Sequence, residues 1–341
     1  MSRNTPKTGT CISLGIDIAK ADFAVALLDG ECLVGEGTFA NTQGGFAKLA
    51  TWCNRQMKAY PDAHLHACME ATGSYGVELA FFLHERFSGT QHKVSVVNPH
   101  QTSHHAKSRL LRNKTDQIDA ENIAHFCATH HPADWQPPTE AQRRLKELSR
   151  HLESIEKSMT REKNRLESGI HDKSIQRQIK QMLGLLEEQK QQTQSEIEEL
   201  LKQDASLLEQ ARLLVTIPGV GRITAVKFLA EVQDFQLFDS AAKLAAFAGL
   251  SPSKKQSGTS VRGKTSLSKQ GNGHLRTALY MPILAAMRSN PIIKTLTDRL
   301  LAEGRPTKVA MAAGMRKLLH LMYGVLKSGR PFDPNFVPLR T

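Results

Sequence analysis

Apolar residues first come in short runs. ISLGIDIA and FAVALL, between Ile12 and Leu28, are separated by the polar Lys20-Ala21-Asp22, a pattern that predicts two strands joined by a turn. A third strand is expected around Glu31 to Phe39, then a helix from about Gly44 to Met57. HLHACMEAT, from His64 to Thr72, predicts another strand, with a helix from Gly73 through Phe82 after it. KVSVVN, Lys93 to Asn98, reads as a short buried strand that Pro99 closes. Three antiparallel strands followed by strands alternating with helices predict an α/β domain over residues 1–138, a mixed sheet covered by helices.

Past Pro137-Pro138 the period lengthens. Leu145, Leu148, Leu152, Ile155 and Met159 recur at heptad spacing, and a second seam runs through Ile175, Ile179, Met182 and Leu186 and resumes at Ile197 and Leu200. Ser168 to Asp172 reads as a turn, so residues 139–210 are expected to fold back as a coiled-coil helical hairpin. A dimerisation or spacer arm and a hairpin packed on its own chain both satisfy that pattern. Residues 211–341 read as a mostly α-helical third domain. In it, Pro218-Gly219-Val220-Gly221 joins two apolar helical stretches, as in a helix-hairpin-helix that offers backbone N–H groups to phosphate; an ordinary tight connection is the alternative. Leu279 to Met287 and Val309 to Val325 read as core helices, with Arg316 and Lys317 on the exposed side of the second.

Charge changes the picture only once it is located. The net +12 comes from the last segment, where 20 Lys and Arg face 6 Asp and Glu, while residues 1–138 and 139–210 are nearly balanced. Such confinement points to a polyanion, and the lack of a long apolar run favours nucleic acid over membrane. The polar Met1 to Thr10 and the interruption at Asp17 predict no signal peptide and a cytoplasmic protein. Five scattered cysteines, never in CxxC spacing, are expected to be reduced thiols. His125, Cys127, His130 and His131 lack a second half at zinc-ligand spacing and read as helix-end and loop residues.

Candidate chemistry centres on NKTDQIDAENIAHFC, Asn113 to Cys127. A helix there puts Asp116 and Asp119 on one face. Like charges so spaced call for a cation, and the flanking Arg109, Arg112 and Lys114 suit phosphate; an acid-rich first turn favoured by the helix dipole is the plainer reading. With Asp17 on the first strand and Glu70 near the end of a later one, four acids could hold two Mg²⁺ about 3.5 to 4 Å apart for phosphoryl transfer. Gly258 to Thr265, GTSVRGKT, matches the phosphate-loop pattern, but polar SPSKKQS precedes it and no Walker B acid follows. The stretch reads better as a basic strand-and-loop of hydroxyls, Ser251, Ser253, Ser257, Thr259, Ser260, Thr265, Ser266 and Ser268 among Lys254, Lys255, Arg262, Lys264 and Lys269. Either all bind phosphate or one serine attacks a phosphodiester, and composition does not choose.

GIDIAK around Asp17, EATGSYG after Glu70, VVNP at 96–99 and RNKTDQIDA from Arg112 resemble the DEDD RuvC-like domain of a family of bacterial insertion-sequence transposases that also includes the Piv-type DNA invertases. FAGLSPSKKQSGTSVRG and SKQGNGHLRTALYMPILAA, which contains Arg276, resemble that family's C-terminal transposase domain. The resemblance implies an RNase H-like fold, an acidic tetrad of Asp17, Glu70, Asp116 and Asp119 holding Mg²⁺, and Ser257 as a nucleophile forming a 5′-phosphoserine link. It also implies a bridge RNA pairing with double-stranded donor and target DNA, and a homo-oligomer, dimer or tetramer, in which one subunit's serine completes another's acidic site. The expectation is an RNA-guided DNA recombinase. Its rivals are a metal-dependent nuclease, a site-specific invertase without an RNA guide, and a non-catalytic nucleic-acid scaffold.

Overall fold

The computed structural model describes residues 11–335 other than 72, 74, 111, 112, 114, 254, 255, 258–260 and 263–265; of Ser253, Gln256, Ser257, Val261, Arg262 and Ser266 it describes the backbone. The chain forms two compact units, residues 1–137 and 138–341.

In the first unit the elements run β1 (Cys11–Ile18), β2 (Asp22–Asp29), β3 (Cys32–Ala40), α1 (Gln43–Met57), β4 (His64–Glu70), α2 (Val77–Phe87), β5 (Lys93–Val97), α3 (Pro99–Ser108) and α4 (Asp116–His130). The sheet order is β3-β2-β1-β4-β5, with β1, β2 and β3 antiparallel and β4 and β5 parallel to β1. This is the mixed sheet expected from the spacing of apolar runs.

Strand alternation assigns the faces. Ile12, Leu14 and Ile16 of β1 and Leu65, Ala67 and Met69 of β4 pack with Phe46 and Leu49 of α1 and Leu79 and Leu83 of α2. The intervening Ser13, Gly15 and Asp17, with His66, Cys68 and Glu70, therefore belong to the opposite face, which α4 covers.

Gly15 lets α4 lie against the sheet. A Cβ there would stand 2.0 Å from the Ala120 carbonyl oxygen and 2.3 Å from the Ala124 nitrogen. Small residues Ala24, Ala26 and Ala120 line the same contact, and Gln117 Nε2 donates to the Val25 carbonyl at 2.9 Å. Gly15→Ala is expected to force α4 outward and cost about 3 kcal/mol, the upper end for over-packing. A urea midpoint equal to that of the unaltered protein would show that the approach is looser.

The second unit begins with α5 (Glu140–Glu167) and α6 (Lys173–Gln203), packed against each other as a helical hairpin. A capping box at Thr139 opens α5, and Asp172 caps α6 through the Ser174 and Ile175 amides. The first seam is buried at Leu145, Leu152, Ile155 and Met159. The second holds only in part. Ile179, Ile197 and Leu200 are buried, whereas Ile175 and Met182 are 40% and 50% exposed, and the buried stripe of α6 takes in Thr193 and Leu201 besides.

The hairpin's basal residues Leu145, Leu152, Ile197, Leu200 and Leu201 share one core with the helices that follow: α7 (Ala205–Val215), α8 (Arg222–Val232), α9 (Ala241–Phe247), α10 (Gly273–Ala278), α11 (Tyr280–Ser289), α12 (Pro291–Ala302) and α13 (Thr307–Ser328). Between α9 and α10, β6 (Pro252–Ser253) pairs with β9 (Ser266–Leu267), and inside that pair β7 (Gln256–Ser257) pairs with β8 (Val261–Arg262). Among the described residues no helix is long and apolar enough to cross a membrane, and all five cysteines are unbridged.

Candidate active site

Two strand ends and one helix start bring the predicted acids to a single edge of the sheet. The last paired couple between parallel β1 and β4 is Ile16 with Met69, and Asp17 and Glu70 are the residues that follow them. Parity puts both on the face that α4 covers. Thr115 caps α4 by accepting from the Ile118 amide, so the helix begins at Asp116 and carries Asp116 and Asp119 in its first turn. Ala120, one residue on, touches Gly15, two residues before Asp17 on the same face. Asp17, Glu70 and Asp119 are half-buried and Asp116 is exposed.

Glu70 is held by a residue without a sequence signal. Thr102, fully buried on α3, has its hydroxyl 2.5 Å from Glu70 Oε1 and 2.9 Å from the Pro99 carbonyl, and its single proton goes to the charged acceptor. Asn122 Nδ2 of α4 donates to the Thr102 carbonyl at 3.1 Å, so α3, α4 and β4 are tied at the site. Four carboxylates are the hard oxygen donors that Mg²⁺ takes. Their donor chemistry fits that ion, although among the described residues no three carboxylate, imidazole or thiol groups gather at ligating distance.

That statement covers the histidine and cysteine cluster too. Cys127 is buried with its thiol donating to the His66 carbonyl at 3.5 Å, while His130 stacks on Phe126 with ring centres 4.5 Å apart. Hydrogen bonding with Cys68, against the effect of burial, lowers the Cys127 thiol from its ordinary value.

Arg109 follows α3, with Nη2 3.8 Å from Glu121 Oε1, a loose pair. Arg112 and Lys114 lie outside the described residues, as do Lys254, Lys255 and Lys264. The backbone of Ser257 pairs with Val261, and that of Gln256 with Arg262, so the candidate nucleophile sits on the inner of two nested strand pairs. The segment is not a phosphate loop. Val261 and Arg262 form a strand inside the pattern, and the element after Thr265 is β9, not a helix.

Several predicted contacts in the second unit have structural duties. Arg276 Nη1 donates to the Ala248 carbonyl at 3.0 Å and the Lys269 carbonyl at 3.4 Å, which closes the root of the strand pairs rather than reaching outward. Lys269 is exposed, with a positive φ of 53°. Gly219 has φ +95°, and a Cβ would lie 2.6 Å from that of Ala286, so the turn before α8 is packed on α11. Gly221, exposed with open space beside it, precedes α8, whose N-terminus has no side-chain cap. Of the two glycines, only Gly221 is placed to offer that end to a phosphate.

Ion pairs between the arm and the basic segment run both ways. Glu231 of α8, 5% exposed, accepts from Arg150 Nε at 2.9 Å and Nη2 at 3.2 Å, and from Asn272 Nδ2 at 2.7 Å. Although burial opposes ionisation, these donors hold the Glu231 carboxyl below the usual carboxylate range. Arg222 makes a two-point pair with Glu198, at 2.9 and 2.7 Å, and Lys227 meets Glu156 at 2.8 Å.

Known proteins match over most of the chain. A family model described as "Transposase" matches residues 14–175, and one described as "Transposase IS116/IS110/IS902 family" matches residues 211–298. The "Pilin gene-inverting protein" of Moraxella bovis is 34% identical over 327 residues, covering 94% of this chain and 97% of its own. An "Insertion element IS110 uncharacterized 43.6 kDa protein" of Streptomyces coelicolor is 34% identical over 121 residues, 36% of this chain and 30% of its own. The "Transposase for insertion sequence element IS1111A" of Coxiella burnetii is 37% identical over 102 residues, 30% of this chain and 27% of its own.

Proposed function

Since the chain belongs to the IS116/IS110/IS902 transposase family and is therefore a DNA-rearranging enzyme, we propose that it breaks and rejoins DNA through a serine ester, guided by a bound RNA. The observation that carries the reading is the convergence of Asp17, Glu70 and the first turn of α4 on one sheet edge. The strand order, three antiparallel strands and then two parallel to the first, supports an RNase H-like fold for this unit.

The chemistry follows from the residues. Ser257 Oγ attacks the phosphorus of a DNA phosphodiester, the bond to the 3′ oxygen breaks, and that oxygen leaves as a hydroxyl. A 5′-phosphoserine ester remains, and attack by a 3′ hydroxyl from another strand reverses the step, so no external energy source is needed. Asp17, Glu70, Asp116 and Asp119 are the residues that would hold Mg²⁺, which when bound supplies positive charge to the scissile phosphate. Thr102 keeps the Glu70 carboxylate turned to that edge. Arg109, Arg112, Lys114, Lys254, Lys255, Arg262 and Lys264 are placed by sequence to contact nucleic acid, in a homo-oligomer that brings a serine and an acidic edge together.

Full-length likeness to pilin gene-inverting proteins favours a second reading, inversion of a resident DNA segment. Expressing the protein beside the DNA that flanks its gene, then sequencing DNA junctions and copurified RNA, tests both. Insertions at new sites with a discrete bound RNA are expected from guided transposition. Flipping in place without bound RNA would support unguided inversion, and unchanged DNA would contradict both.

A further inference from the structure

Two half-buried cations on α13 have no acidic partner among the described residues. Arg316 and Lys317 are adjacent, and His320, four residues after Arg316, shares their helix face. All six acids of residues 211–341 are engaged elsewhere. Glu231 binds Arg150, Asp239 binds Lys243, Asp298 binds Lys294 and Glu303 approaches Arg299, while Asp234 and Asp333 accept from the backbone amides of Gln236 and Asn335. Among the described residues no ion pair reaches Arg316 or Lys317.

Their neighbours suit an anion. Arg316 Nη1 donates to Ser251 Oγ at 3.2 Å, which leaves the serine's own O–H to donate outward. His320 Nε2 is buried without a hydrogen-bond partner. Burial, and then the charges of Arg316 and Lys317, hold this imidazole below its ordinary value, so the ring stays neutral beside the two cations. Like charges withdrawn from water repel each other. A phosphate would answer that repulsion. Ser251 also anchors the strands that carry Ser257: it precedes β6, and its carbonyl accepts from the Ser268 amide at 2.9 Å.

We infer that Arg316, Lys317, His320 and Ser251 form a binding site for one backbone phosphate of a nucleic acid, at the root of the strand pairs bearing Ser257. The identity of the polyanion rests on the recombinase reading. A phosphate gripped there fixes the bound strand relative to the serine without reading its bases.

Salt titration of the intact protein tests it, with a short DNA duplex and an RNA stem-loop of unrelated sequence as probes. The double variant Arg316→Gln/Lys317→Gln is expected to bind one or both probes about 10-fold more weakly at physiological salt, and to lower the slope of log affinity against log salt by about 1. Loss on the duplex alone assigns the phosphate to DNA, and loss on the stem-loop alone assigns it to RNA. Arg316→Lys is expected to recover most of the slope. Without ligand, the double variant should melt at the same temperature as the unaltered protein or higher, since uncompensated charge has been removed. Unchanged slopes on both probes, or a clear drop in melting temperature, overturn the site. An unaltered protein that binds neither probe contradicts the recombinase reading itself.

Discussion

Asp17→Asn and Glu70→Gln are each expected to reduce DNA strand exchange roughly 10²- to 10³-fold or more, with folding and nucleic-acid binding preserved. Each swap keeps the shape of the side chain and removes the charge. In Glu70→Gln the amide oxygen still accepts from the Thr102 hydroxyl, so the tie between β4 and α3 survives and the lost rate reports on the carboxylate. Asp17 lies near the end of a buried strand in which only every second residue faces the packed α1 and α2 side, so a neutral isostere there should not disturb the core. Recombination product should be counted alongside thermal melting and duplex binding. Product formed at the ordinary rate by both variants would support the non-catalytic scaffold.

Ser257→Ala is expected to abolish strand exchange and protein-linked DNA together, while binding stays within about twofold, because removing one hydroxyl takes away the nucleophile and no charge. Ser257 pairs through its backbone with Val261, so alanine can take its place in the strand. A variant that still cuts DNA would mean that water is the attacking group, as in a metal-dependent nuclease.

Much of the first unit was legible because strands announce themselves by period. Alternation along ISLGIDI and HLHACME separates core from site face, and the same parity carries Asp17 and Glu70 to one side. What the sequence hides is closeness. That α4 can approach β1 depends on the missing side chain of Gly15 opposite Ala120, contacts 105 residues apart that no local pattern encodes. Thr102 lies in the polar PHQTSHHAKS, where nothing marks it as the partner of Glu70.

In the second unit, charge counted by segment overstated the free positive surface, since Arg222 and Lys227 are paired with acids from the arm. Arg276 and Gly219 carried the right residue types for phosphate, yet one closes a loop root and the other packs on α11. Conversely, Arg316 and Lys317, expected on an exposed face, are half-buried. The second heptad seam failed at Ile175 and Met182 because a helix pairs through whichever stripe its partner presents.

The most direct measurement is to stop the reaction on labelled DNA, digest the protein and locate the attached nucleotide by mass spectrometry. A peptide carrying a 5′-phosphate ester on Ser257 is predicted. Cut or exchanged DNA with no bound protein, or an adduct on any other side chain, would contradict a recombinase that works through this serine.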